Sequence, residues 1–169
     1  LDGVVVTGGE PTINRDLPEL ISKIRKMGMK IKLDSNGTNP SMLADLIDSG
    51  SLDYVAMDLK APLNEKYQEI AGAPVDLAAI KRSIGLIMDG MPDYEFRTTV
   101  VPFYLKKVDI EAIAAYIGGA KKYALHQFGN KNTLDERLAV MEPYPEAVLH
   151  EIATMARSYV KKVVLRGTN

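Results

Sequence analysis

The chain has 169 residues, 46% hydrophobic and 25% charged, with 13 glycines and 9 prolines, which excludes disordered, collagen-like and coiled-coil architectures and suits one domain with a real core. Lysine plus arginine (21) nearly balance aspartate plus glutamate (22), so there is no basic field to draw nucleic acid or an anionic membrane. There is no cysteine, which excludes disulfides, thiol nucleophiles, cysteine-type zinc sites and thiolate-held iron–sulfur clusters within these residues.

The chain opens Leu1-Asp2-Gly3-Val4-Val5-Val6-Thr7, without Met and already inside an apolar run, and reads as a domain fragment whose upstream part is missing. Residues 3–7 predict a buried strand. A helix follows over 16–27, with Leu17, Leu20, Ile21 and Ile24 on one face, Asp16 as N-cap and Gly28 as stop. Residues 29–34 form the next strand, and Asn39-Pro40 opens a helix with an N-cap and a first-turn proline, carrying Leu43, Leu46 and Ile47 to Gly50. A third strand spans 54–59. A short helix near 65–70 and a longer one over 76–88, bearing Ile80, Ile84 and Ile87, lead to a turn at Met91-Pro92-Asp93. Strand 94–101, helix 109–117, strand 122–128, a helix over 146–159 opened by Pro143-Tyr144-Pro145, and strand 160–165 complete the pattern.

Strands alternating with helices imply a parallel sheet built from right-handed crossovers, an α/β fold in one domain over 1–169. No signal peptide opens the chain and no stretch nears the ~20 apolar residues of a membrane span; the expected location is the cytoplasm.

In a parallel α/β fold, ligands gather at the carboxyl ends of the strands. The residues there are Gly8-Gly9-Glu10-Pro11-Thr12, Asp34-Ser35-Asn36-Gly37-Thr38, Asp58-Leu59-Lys60, Arg97 to Pro102, and His126-Gln127-Phe128. Two glycines let the backbone approach a ligand closely. Pro11 biases Glu10 toward an extended conformation, with carbonyl and side chain expected to point outward. Such a turn offers acceptors and suits an ammonium group; read blandly, it is a tight strand-to-helix turn.

The run Thr7-Gly-Gly-Glu-Pro-Thr12 resembles the Gly-Gly-Glu-Pro motif of the radical S-adenosylmethionine (radical SAM) superfamily. Further stretches resemble its glycyl-radical-enzyme activating branch, in particular activators of anaerobic ribonucleotide reductase or pyruvate formate-lyase. Asp34-Ser35-Asn36-Gly37 is similar to the branch's Asp-Thr-Asn-Gly, Asp58-Leu59-Lys60 to its Asp-x-Lys, and Arg97-Thr98-Thr99-Val100-Val101-Pro102 to its Arg-x-x-Val-Val-Pro. The similarity covers the chain to about residue 102 and more loosely His126 to Arg166.

The resemblance implies a partial (β/α)6 barrel whose first strand and cluster loop precede this chain. It implies that Gly8, Gly9, Glu10 and Pro11 bind the methionine amino group of S-adenosylmethionine. Asp34, Ser35, Asn36, Asp58 and Lys60 would surround the carboxylate and ribose end, with an alkali-metal ion as an option. Arg97 would hold the cofactor carboxylate, while Thr99 and His126 lie near adenine. Each position keeps an alternative: a rim ion-pair network for Asp34, Asp58 and Lys60, a plain turn for Asn36-Gly37, a strand-edge charge for Arg97, and a helix-packed histidine for His126. His150, Lys106-Lys107 and Lys161-Lys162 read as surface, and the eight methionines as gap filling.

The family generates a 5′-deoxyadenosyl radical from S-adenosylmethionine with a 4Fe–4S cluster on three cysteines, installs a glycyl radical on a partner enzyme and draws on an electron donor. Lacking cysteine, the 169 residues are expected to hold part of the cofactor cradle and to be inactive alone. Two other readings stand beside this one: a cluster-free α/β binding module, and an unrelated α/β domain in which Gly-Gly-Glu-Pro is only a turn.

Overall fold

Apolar runs of four to seven residues alternate with amphipathic stretches, and each becomes its expected element in a computed structural model that describes residues 1–131, 133 and 135–168. The strands are β1 (Gly3–Val6), β2 (Lys30–Ser35), β3 (Tyr54–Asp58), β4 (Tyr94–Val100), β5 (Tyr123–Gln127) and β6 (Val163–Arg166). The helices are α1 (Leu17–Lys26), α2 (Pro40–Asp48), α3 (Glu65–Ala71), α4 (Leu77–Gly90), α5 (Lys107–Tyr116), α6 (Glu136–Ala139) and α7 (Glu146–Ala156). The sheet order is β1-β2-β3-β4-β5-β6, and β1/β2, β2/β3 and β5/β6 pair in parallel. This is the expected α/β fold, an open sheet compatible with a partial barrel. Among the described residues no helix is long and apolar enough to cross a membrane.

The chain divides into two compact units, Leu1–Asp58 with Pro74–Phe96 and Leu59–Ala73 with Arg97–Asn169, so β4 contributes to both. In the first unit α1 packs on β2 and α2 on α4. Register and alternation sort the residues of β2 and β3 by face. Ile31, Leu33, Ser35, Val55 and Met57 share the helix-covered side, and Lys32, Asp34, Tyr54, Ala56 and Asp58 the other. In the second unit α5 and α7 pack together and α7 covers β6.

Three expectations need correction. The opening strand is not buried: β1 has β2 as its single neighbour in the sheet order, and its residues alternate between exposed and half-buried. Leu20 leaves the apolar face of α1: Leu17, Ile21 and Ile24, at i, i+4 and i+7, are buried, whereas Leu20 is 48% exposed. Asp16 occupies the N-cap position but makes no side-chain cap bond. Asn39, by contrast, caps α2 through Met42 N, as expected, and Gly28, at φ 76°, ends the α1 region.

Candidate functional site

In the first unit the strand-end turns are tied together by one carboxylate. Glu10 is extended, as its proline neighbour requires, and caps a 3-10 turn over Pro11–Ile13. Its Oε1 accepts from Thr12 N (3.2 Å), Thr12 Oγ1 (2.6 Å) and Ser35 Oγ (2.9 Å), and its Oε2 accepts from Asn36 N (2.5 Å). Its main-chain carbonyl takes Ile13 N at 3.4 Å. The expectation that the Glu10 side chain and carbonyl point outward is therefore corrected. The carboxylate turns toward the end of β2, where Ser35 Oγ and Asn36 N join the two Thr12 donors of its own turn in satisfying a half-buried charge.

The second turn is held from beneath. Ser35 Oγ accepts from Gly37 N (3.0 Å), Ser83 Oγ on α4 donates to Gly37 O (2.7 Å), and Asn36 Oδ1 accepts from Thr38 N (3.0 Å) and Thr38 Oγ1 (2.7 Å). Gly37 sits at φ 76°, and a β-carbon there would lie 2.0 Å from Met57 Cε. Only glycine fits the conformation and the space. Asn39 Nδ2 donates to Thr12 O at 2.6 Å, joining the first turn to the start of α2. Around Gly8 and Gly9 a side chain would meet nothing within 4 Å, and a cleft of about 550 Å³ runs from these residues along Pro11, Leu17 and Leu20.

Asp34 and Asp58 lie on one face of β2 and β3, with Asp34 opposite Ala56 in the register. Asp34 Oδ1 is 3.2 Å from Lys32 Nζ, its side chain 17% exposed, and the same ammonium lies 5.8 Å from the Tyr54 ring centre. Sequence reading overlooked Lys32, although its spacing of two from Asp34 in a strand puts both on one face. It placed Thr12 in the first turn without assigning its buried hydroxyl to Glu10, and it overlooked Ser83, whose buried hydroxyl holds the second turn and which carries no motif signal.

In the second unit, Lys60 is exposed just after β3, and the neighbouring Leu59 N–H donates to Arg97 O at 2.8 Å. Tyr123 Oη donates to Thr98 Oγ1 (2.9 Å), which donates to Leu59 O (2.8 Å). Burial pushes the Tyr123 phenol well above its ordinary pKa, with the Thr98 hydrogen bond partly offsetting this. Because Thr98 and Tyr123 share a face, strand alternation puts Arg97, Thr99 and His126 on the opposite one. His126 and Arg166 are register partners there, Nε2 and Nη1 3.4 Å apart. A cleft of about 610 Å³ opens at the ends of β5 and β6, lined by Gln127, Gly129, Lys131 and Gly167 among others. His150 is exposed, 3.5 Å from Glu146, as expected of a surface histidine.

The structure thus places Gly8, Gly9, Glu10, Pro11, Asp34, Ser35, Asn36 and Asp58 in the first unit, and Lys60, Arg97, Thr99 and His126 in the second.

The sequence profile of the Radical SAM superfamily matches residues 1–118. A Methanocaldococcus jannaschii protein named "Putative glycyl-radical enzyme activating enzyme" is 35% identical over 173 aligned residues, covering 99% of this chain and 72% of that protein. A "Probable GTP 3',8-cyclase" of Metallosphaera sedula is 39% identical over 70 residues, 41% of this chain and 22% of its own length. The solved domain of a pyruvate-formate lyase-activating enzyme from Bacteroides vulgatus superposes with a TM-score of 0.78 at 16% identity, covering 99% of this chain and 100% of that one. At that identity the likeness is one of fold.

Proposed function

The chain belongs to the radical SAM superfamily, and from that premise we propose that it is the S-adenosylmethionine-binding part of an activating enzyme that installs a glycyl radical on a partner enzyme. The observation that carries the reading is the Glu10 clamp, which joins the Gly-Gly-Glu-Pro turn to the Asp34-Ser35-Asn36-Gly37 turn and so fixes two strand ends as one preorganised rim. Family membership sets aside the third reading, an unrelated domain with a chance turn.

In this proposal the main chain at Gly8 and Gly9, backed by Pro11 and Glu10, meets the methionine ammonium. Asp34 and Asp58 hold the hydroxyl-rich end of the cofactor, with Ser35 and Asn36 fixing the turn that carries Asp34. For the second unit, Lys60, Arg97, Thr99 and His126 are proposed one by one: Lys60 and Arg97 as cations for a carboxylate, Thr99 and His126 as polar contacts for adenine. When bound, S-adenosylmethionine supplies the hydrogen-abstracting chemistry. The residues present do not fit the iron–sulfur cluster. Such clusters take thiolates, the chain has no cysteine, and no cluster of three His, Cys, Asp or Glu among the described residues is arranged to hold a metal. No step is therefore derived through it, and the chain alone is expected to be inactive. The partners of the whole enzyme are, on this reading, a glycyl-radical enzyme and an electron donor.

Titration of the chain with S-adenosylmethionine, followed by amide NMR shifts, tests this. Asp34→Asn and Asp58→Asn should each weaken binding roughly tenfold. Equal affinity in wild type and both variants would remove the site assignment.

A further inference from the structure

Thr98 and Tyr123 take no part in the reading above, although both are buried beside a strand end that it uses. Thr98 Oγ1 donates its single proton to Leu59 O at 2.8 Å, and a carbonyl oxygen can only accept. The hydroxyl has lone pairs left for Tyr123, whose phenol donates to it at 2.9 Å. The direction of the chain is thus fixed throughout, from Tyr123 through Thr98 to Leu59. Leu59 is buried, and its own N–H donates to Arg97 O at 2.8 Å. Both main-chain polar groups of Leu59 are therefore tied to β4. The Leu59 carbonyl and the Lys60 N–H share one planar peptide unit, so these bonds set the plane from which the exposed Lys60 side chain leaves. Thr98 and Tyr123 lie on the face opposite Arg97 and Thr99, so neither would touch a ligand held there.

We infer that Thr98, oriented by Tyr123, is a positioning residue that fixes the Leu59–Lys60 peptide and thereby aims the Lys60 ammonium at the carboxylate end of a bound ligand. The inference rests on the proposed function for the ligand and for Lys60 as its cation; the fixed peptide stands without it.

The test is a double-mutant cycle read by S-adenosylmethionine affinity, with the Lys60 amide shift as a second readout. Lys60→Met should weaken binding about tenfold, and Thr98→Val, of the same shape but without a donor, about fivefold. The double variant should bind no worse than about tenfold below wild type, because a misdirected lysine matters only while the lysine is there. In the ligand-free chain Thr98→Val should move the Lys60 amide. Thr98→Ser, which keeps a hydroxyl, should hold both shift and affinity near wild type. Should Thr98→Val fail to fold, Tyr123→Phe takes its place: the Thr98 hydroxyl is then free to turn, and the Lys60 amide should move with a loss of about twofold in affinity.

Fold-changes that multiply in the double variant overturn the inference, since a merely structural loss would do the same. So does wild-type affinity or an unmoved Lys60 amide in Thr98→Val, or in Tyr123→Phe where that stands in. A Thr98→Ser variant as impaired as Thr98→Val overturns it too. If Asp34→Asn weakens binding and Lys60→Met or Thr98→Val does not, this inference fails while the Asp34 assignment stands. A wild-type chain that does not respond to S-adenosylmethionine overturns the proposed function and this inference with it.

Discussion

Glu10 binds its own protein before it binds anything else. Four donors on its carboxylate mean that Glu10→Ala should lower the unfolding free energy by about 2–4 kcal/mol, read from the urea midpoint. Glu10→Gln, which keeps one acceptor oxygen, should lose roughly half of that. An unshifted midpoint would show that the clamp does not form in solution. Gly37→Ala meets both a positive φ and the Met57 methyl, and should cost about 2–4 kcal/mol in the same assay. The sequence marks both residues as belonging to a turn, because glycine and the residue before proline carry strong local signals. It hides which way Glu10 points: that depends on donors 25 and 26 positions away, and no local pattern encodes them.

Helices and strands were legible wherever period and punctuation agree. The strands fall within the predicted runs except for Ser35 at the end of β2 and Arg166 at the end of β6, and Asn39, Asn64 and Asp76 cap their helices through side-chain oxygens. Reading failed where apolar character and position part company. Val160 looks like the start of a strand, but its N–H closes the turn after α7 onto Ala156 O, and β6 begins at Val163. The 3-10 turn at Pro11–Ile13 and the short α6 are too brief for periodicity to reveal. Ser83, in the middle of α4, looks like a neutral helix residue, yet its hydroxyl holds the Gly37 carbonyl. Ser83→Ala should cost about 1–3 kcal/mol by leaving that buried acceptor unmet, and should speed amide exchange at Gly37 more than elsewhere in the turn. Uniform exchange would assign the loss to packing alone.

Across the whole molecule, stability should carry an alkaline limit set by Tyr123. Its phenol is fully buried, so its folded pKa lies above the unfolded value near 10. The native state keeps a proton that the unfolded state releases. The contribution is complete below about pH 10 and declines as pH rises past it. Thermal melts between pH 8 and 11 should show this decline in wild type and a shallower one in Tyr123→Phe. That variant should lose about 1 kcal/mol at neutral pH, with Thr98 still bonded to Leu59 O. Parallel slopes would exclude Tyr123 as the cause.

With Glu10 folded inward and empty space where Gly8 and Gly9 would bear side chains, that corner meets solvent as bare peptide. Anything grasped there is sensed through the outline of amide groups. Side chains grafted at positions 8 and 9 would fill that space and hold a guest away from the peptide. Engineers seeking a different guest would have to reroute the loop itself, by insertion or deletion.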